Sequence, residues 1–419
     1  MDLFKPLVAR SALHPNFINT LRAPSAGVRK VLLDWATDFP DRDGKFIKEF
    51  QTTYNSSFWE LYLFAVFKEL GIKIDFSFAA PDFVASEVPL AVEATIASHA
   101  QDDVPEWEKR FEDVMKLDVF EAQATSAIRA SNAFRSKSEA YLQRYAALPH
   151  MAGHAYVIAI SNYGTQDFNL LGDVPMQHVL YDNFKVGHFK KANGALVPLG
   201  LFNNADFAHV SAVLYSSIAT FGKARALSDD SNEFIFRAVR ILNNFEPIRI
   251  VAKKADYRES LTDGLRLFVN PFATTPINVE LFDDWGIRKF VAEKNGDVVV
   301  SCHPEGDLCM RQVQQVVGIG KAVTPNMIEM PAYVRHAKTV RMAAGMKQQV
   351  VAELATAMCD GGFEFDKARV KHIEALKPVP FIEAENYSRM LLSLPQRSRV
   401  PTVVFDLRKK SRPPVRRFR

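Results

Sequence analysis

The chain has 419 residues, 48 % of them hydrophobic and 32 of them Phe, which excludes a disordered protein and allows one large domain or two to three ordinary ones. No apolar stretch reaches the roughly 18 residues of a membrane span. The start MDLFKPLVAR lacks a charged region followed by an apolar run. Three cysteines do not make a disulfide framework, so a cytoplasmic setting is expected.

The formal charge is +4. Residues 397–419 hold nine Lys or Arg and one Asp, or +8, which leaves −4 on the remainder. Such a tail is either an electrostatic handle on nucleic acid, with Phe418 available for stacking, or a solvated terminus.

Residues 1–50 alternate between helical and irregular character. RKVLLDW at 29–35 has helical spacing, and DFPDRDG at 38–44 is a turn-rich break. Asp41, Asp43 and Gly44 begin a calcium-loop pattern that lacks its later ligands, so a plain loop is expected.

The most informative stretch is 55–95, NSSFWELYLFAVFKELGIKIDFSFAAPDFVASEVPLAVEAT. A helix is predicted from about Ser57 to Leu70, stopped by Gly71. Between Phe58 and Phe67 it is apolar or aromatic except for Glu60, so it is buried on most sides, and a buried carboxylate needs a partner or a metal. Ser57 and Glu60 also fit a capping box. The cap and a site are compatible, since a first-turn Glu can point at a neighbouring strand.

Two strands follow, Asp82–Ser86 and Leu90–Thr95, opened by Pro81 and Pro89, where a missing N–H costs little. A symmetric turn of two or four residues pairs Ser86 with Pro89 and Asp82 with Glu93. Opposed residues share a face with Cβ atoms about 5 Å apart, and like charges so placed repel. A hard cation such as Mg²⁺ removes that penalty. An odd turn would put the two acids on opposite faces, and an edge ribbon with solvated acids is the other reading.

An acid on a helix, then P-D opening a strand, then an acid on the next strand resembles the PD-(D/E)XK nuclease superfamily. More narrowly, FQTTYNSSFWELYL with PDF and VEAT resembles a bacterial subgroup placed in that superfamily, and the likeness extends through AYVIAI at 155–160 to NPFA at 270–273. The resemblance implies a restriction-endonuclease-like α/β fold, a mixed sheet flanked by helices with an α-β-β-β-α-β core. It implies Mg²⁺ or Mn²⁺ held by Asp82, Glu93, the carbonyl of Ala94 and Glu60. The family's E-x-K lysine position holds Thr95 here. In some members that lysine has moved to the following helix, and Lys137 in AFRSKSEAY is the candidate. Its other reading is a solvated helix lysine.

From 102 to 147 the chain reads as helical, with Glu106, Glu108, Glu112 and Asp113 mixed with Lys109 and Arg110 on a solvated face. A helix is predicted from Ala122 to Tyr145. Tyr156–Ile160 reads as a strand covered on both faces. His209–Tyr215 and Leu265–Val269 read as strands extending the same sheet. Phe184–Gly200 reads as an irregular excursion, whose Lys185, His188, Lys190 and Lys191 either touch phosphates or are solvated.

The nuclease-like core is placed at 1–275, an appended α+β or helical region at 276–396, and the basic tail beyond. In the appended region, Val298–Cys302 reads as a strand after the turn at 295–297. Residues 326–360 read as mainly helical, with Ala343, Met346, Val350, Leu354 and Ala357 forming one stripe.

Other motifs fail. The GK pair at Gly320–Lys321 lacks the rest of a P-loop. Cys302, His303 and Cys309 are one ligand short of a structural zinc site. His150, His154 and His178 read as ordinary surface or core histidines. The expected function is metal-dependent phosphodiester hydrolysis in nucleic acid, DNA first. A nuclease-fold protein that binds nucleic acid or a protein partner without catalysis is the alternative, motivated by Thr95.

Overall fold

The computed structural model describes residues 1–100, 103–108, 118–165, 168–229, 234–242, 246–284, 286–301 and 306–315, and in the last hundred residues 338, 341–342, 345–357, 365–375, 387 and 390. The chain divides into two units, Met1–Val317 and Gly318–Arg419.

Short helices open the first unit: α1 (Pro15–Leu21), α2 (Ala26–Trp35) and α3 (Phe46–Thr52). They lead into α4 (Tyr54–Glu69), in which every residue from Ser57 to Phe67 is buried except Glu60. α4 starts one turn earlier than the sequence suggests. Thr53 stands at its N-cap, so Ser57 and Glu60 lie inside the helix and the expected capping box does not form. Its end follows expectation. Gly71 adopts φ +71°, with Gly71 N–H donating to Lys68 O and Ile72 N–H to Phe67 O, a Schellman closure.

The central sheet has eight strands: β1 (Ile74–Asp75), β2 (Phe83–Ala85), β3 (Leu90–Ser98), β4 (Ala155–Tyr163), then β7 (Ala212–Ser216), β10 (Leu265–Val269), β11 (Ile287–Ala292) and β12 (Val298–Val300), in that spatial order. β3, β4 and β7 run parallel. β1 and β2 form an antiparallel margin on one side, and β12 closes the other antiparallel to β11. The sheet is thus mixed, and the protein is α/β.

A long helix, α5 (Val119–Ala140), connects β3 to β4 and runs into a π-helical turn, Tyr141–Tyr145. Helix α6 (Val174–Tyr181) lies between β4 and β7 in sequence. A small hairpin, β5 (His188–Lys190) with β6 (Leu196–Pro198), orders part of the stretch expected to be irregular. His188 and Lys190 point to solvent there.

Side chains alternate strictly across the sheet. Leu90, Val92, Ala94, Val157, Ala159 and Leu214 join the helices α1–α4 in one core. Ala91, Ala97, Tyr156, Ile158, Ile160 and Val213 join α5 and α6 in the other. Within each of these strands, successive residues therefore meet different helical layers.

A second, three-stranded sheet pairs β8 (Phe234–Ile241) with β9 (Pro247–Lys253) and β13 (Asp307–Gln315). It encloses its own small core of Phe234, Phe236, Ala238, Tyr257 and Leu308. Beside it, α7 (Phe221–Leu227) delivers Lys223 into a fully buried ion cluster. There Lys223 and Arg311 both pair with Glu259, whose other oxygen accepts from Tyr257 at 2.7 Å.

The expected boundary after residue 275 does not coincide with this division. β11, β12 and β13 lie beyond it and belong to the sheets of the first unit, because residues 287–300 complete the margin of the main sheet.

In the second unit, α8 (Gln348–Ala357) and α9 (Lys367–Glu374) bury Val351, Ala352, Ala355, Val370 and Ile373. Val350 and Leu354, from the predicted stripe, are exposed instead. Hydrogen bonds from Arg341, Gln348 and Tyr387 converge on Glu374. Among the described residues no helix is long and apolar enough to cross a membrane. The tail at 397–419, the GK pair, Cys302, His303 and residues 109–117 lie outside the described residues.

Candidate active site

The register of the first hairpin places the acids. Phe83 pairs with Val92 and Val84 with Ala91, so continuing one step sets Asp82 opposite Glu93. The turn between them has even parity, as the alternation required. Phe83 and Val92 face the α4 layer. Asp82 and Glu93 therefore face the layer of α5.

Glu93 is only 4 % exposed, on a strand paired on both sides. Its charge is met from α5. Lys137 donates to Oε1 of Glu93 over 2.6 Å, with the lysine side chain 26 % exposed. The geometry explains how Thr95 can stand where a lysine is expected. Thr95 shares the face of Glu93 by period two, and α5 covers that face, so an ammonium can reach the carboxylate from the helix instead. Tyr145, in the π-helical turn, donates to the same Oε1 at 3.3 Å.

Asp82 accepts the amide of Ala94 on Oδ2 at 2.8 Å. Burial, then the charge of Glu93, pushes its carboxyl up to about 6, against the pull of the Ala94 amide, Lys137 and Arg42. Among the described residues, Oδ1 of Asp82 and Oε2 of Glu93 have no hydrogen-bond partner. Each acid thus has one committed and one free oxygen.

Glu60 comes from the opposite helical layer. Burial pushes it up to about 8, with Asp82 and Glu49 adding and Arg42 opposing. No hydrogen bond or ion pair reaches its carboxyl among the described residues. Among the described residues no three His, Cys, Asp or Glu side chains are grouped to hold a metal; Glu60, expected with Asp82 and Glu93 around one ion, interacts with both electrostatically. Raised to about 8, Glu60 carries its proton at neutral pH in the metal-free fold.

The pair itself suits a divalent cation. Two opposed carboxylates, Glu93 buried and Asp82 half-buried, each with one oxygen unbonded among the described residues and with Lys137 bonded to Glu93, carry excess negative charge. Hard cations take oxygen donors of this kind. Ala94, which follows Glu93, has its side chain in the α4-side core and its amide on Asp82, so the backbone there is fixed.

Two contributors escaped the sequence reading. Arg42, in the loop before α3, donates to Phe78 O at 2.6 Å and its charge bears on both Asp82 and Glu60. Its DRDG setting reads only as a turn. Tyr145 lies eight residues beyond Lys137, a spacing with no signal in a regular helix. At the rim, His150 stacks on Phe78 with centroids 4.1 Å apart and contacts Ala80 O at 2.8 Å. Lys191, which follows β5, contacts Asn132 of α5 at 3.2 Å.

No family model matches the chain, and comparisons with curated proteins and with solved structures find no match either.

Proposed function

We propose that the protein is a metal-dependent nuclease, cytoplasmic and acting on nucleic acid, DNA first, through a restriction-endonuclease-like core. The observation that carries this reading is the opposition of Asp82 and Glu93 with Lys137 seated on Glu93. The order α4–β1–β2–β3–α5–β4 agrees with the core order that the sequence resemblance implies.

In this reading Asp82, Glu93 and the carbonyl of Ala94 hold Mg²⁺ or Mn²⁺. Such a cation, when bound, acidifies a water and neutralises charge on a phosphate. Lys137 orients the attacking water or steadies a phosphoryl oxygen as charge develops there. Arrival of a cation favours release of the proton that Glu60 holds in the metal-free fold, and Arg42 offers a guanidinium to a phosphate at the mouth. Hydrolysis adds the water oxygen to phosphorus and releases the alcohol of the broken ester.

The test is incubation of the purified protein with plasmid, single-stranded DNA and RNA, in Mg²⁺, in Mn²⁺ and in chelator. Metal-dependent cleavage that vanishes in Asp82→Ala supports the reading. Retention of nucleic acid without cleavage favours the alternative, a nuclease-fold protein that binds nucleic acid or a protein partner without catalysis. Thr95 is the observation on that side.

A further inference from the structure

We propose that Tyr145 is a positioning residue of the Asp82–Glu93 site, an assignment that rests on the nuclease reading and extends it. Tyr145 fixes which oxygen of Glu93 is left for a cation.

The backbone makes this possible. Lys137 lies in the last turn of α5 and Tyr145 ends the π-helical turn that follows. At 3.6 residues per turn, side chains eight residues apart are rotated about 80° from each other, and both would not meet one atom. The wider i→i+5 turn takes up that offset. Both side chains then reach Oε1 of Glu93, the lysine at 2.6 Å and the tyrosine at 3.3 Å. π-turns of this kind are uncommon and recur at functional sites.

The chemistry follows from the donor count. A carboxylate whose two oxygens are equivalent can turn either towards a cation. With two donors on Oε1, rotation about the last side-chain bond breaks both contacts, so Oε2 is the oxygen presented. Asp82 is constrained in the same sense by the Ala94 amide on Oδ2. Groups that hold ligand carboxylates in this way are worth tens-fold in metal affinity. The tyrosine ring is placed independently of its hydroxyl, against Tyr156 at 6.5 Å and beneath Arg144 at 5.4 Å.

Tyr145→Phe keeps the ring and removes only the donor. Mn²⁺ titration of the metal-free full chain by calorimetry is the readout, beside the melting midpoint without metal. The expected result is one Mn²⁺ site in the wild type, lost in Asp82→Asn, and weakened about tenfold in Tyr145→Phe with an unchanged metal-free midpoint. Wild-type affinity in Tyr145→Phe overturns the assignment, whether or not the midpoint moves, and leaves the nuclease reading standing. A wild type that binds no Mn²⁺ removes both.

Discussion

Lys137 and Glu93, forty-four residues apart and on different layers, form a 2.6 Å ion pair at the only point where α5 meets a charged residue of β3. Replacing the lysine by alanine is expected to lower metal-dependent cleavage by about 10²–10³-fold, the usual cost of one electrostatic donor at a reacting phosphate. Thr95→Lys in that background restores part of the rate, because residue 95 faces the same layer. Initial rates on plasmid DNA check both, and equal rates in the wild type and Lys137→Ala would remove the lysine from the chemistry.

Asp82→Asn separates function from stability. Cleavage is lost with the ligand. The metal-free protein gains about 1–3 kcal/mol at pH 8, since a buried like-charge repulsion against Glu93 disappears. Added Mg²⁺ raises the melting midpoint of the wild type by mass action and leaves the variant unmoved. Thermal melts with and without Mg²⁺ read both effects.

Glu60 predicts a pH dependence of the metal-free fold. Its carboxyl is raised from an ordinary 4.5 to about 8 by burial. Between these values the folded chain holds a proton that the unfolded chain has released. The stabilisation is therefore complete below about pH 4.5 and is lost as pH rises through about 8. Denaturant midpoints from pH 5 to 9 should fall in the wild type and fall less in Glu60→Gln. Parallel curves for the two would contradict the raised carboxyl of this half-buried acid.

The buried cluster of Lys223, Arg311 and Glu259 holds the second sheet to α7. Glu259→Ala leaves two cations without their carboxylate, and about 3–5 kcal/mol of stability should go with it. Chemical denaturation measures the loss, and cleavage per folded molecule should stay near wild type.

Some of this was legible in the letters and some was not. The opposition of Asp82 and Glu93 was readable because Pro81, Pro89 and strict alternation left few registers. The burial of α4 followed from its unbroken apolar run, and Leu265–Val269 matches its expected bounds. The letters hide where α4 begins, because α3 continues almost without interruption into it and Ser57 mimics a cap. Phe234, Phe236 and Ala238 alternate plainly in β8, a signal that would have announced the second sheet. The stripe through Val350 and Leu354 favoured the wrong face, since which side of a short amphipathic helix is covered depends on the partner it meets. Tyr145 had no signal at all, because a one-residue change of helical pitch leaves no trace in composition. Arg42 joins the site only through chain folding.

The two carboxylates are not equally anchored. Glu93 belongs to a strand laced to neighbours on both sides, whereas Asp82 precedes a three-residue strand whose outer neighbour has only two. Few backbone bonds need to open for that margin to fray. Whatever spans the two acids is then also a clasp on the fold, and occupancy of the site and closure of the sheet's border become one equilibrium. Amide exchange at Phe83–Ala85 should slow when a divalent ion is supplied, while the amides of Val157–Ile160 stay as they were.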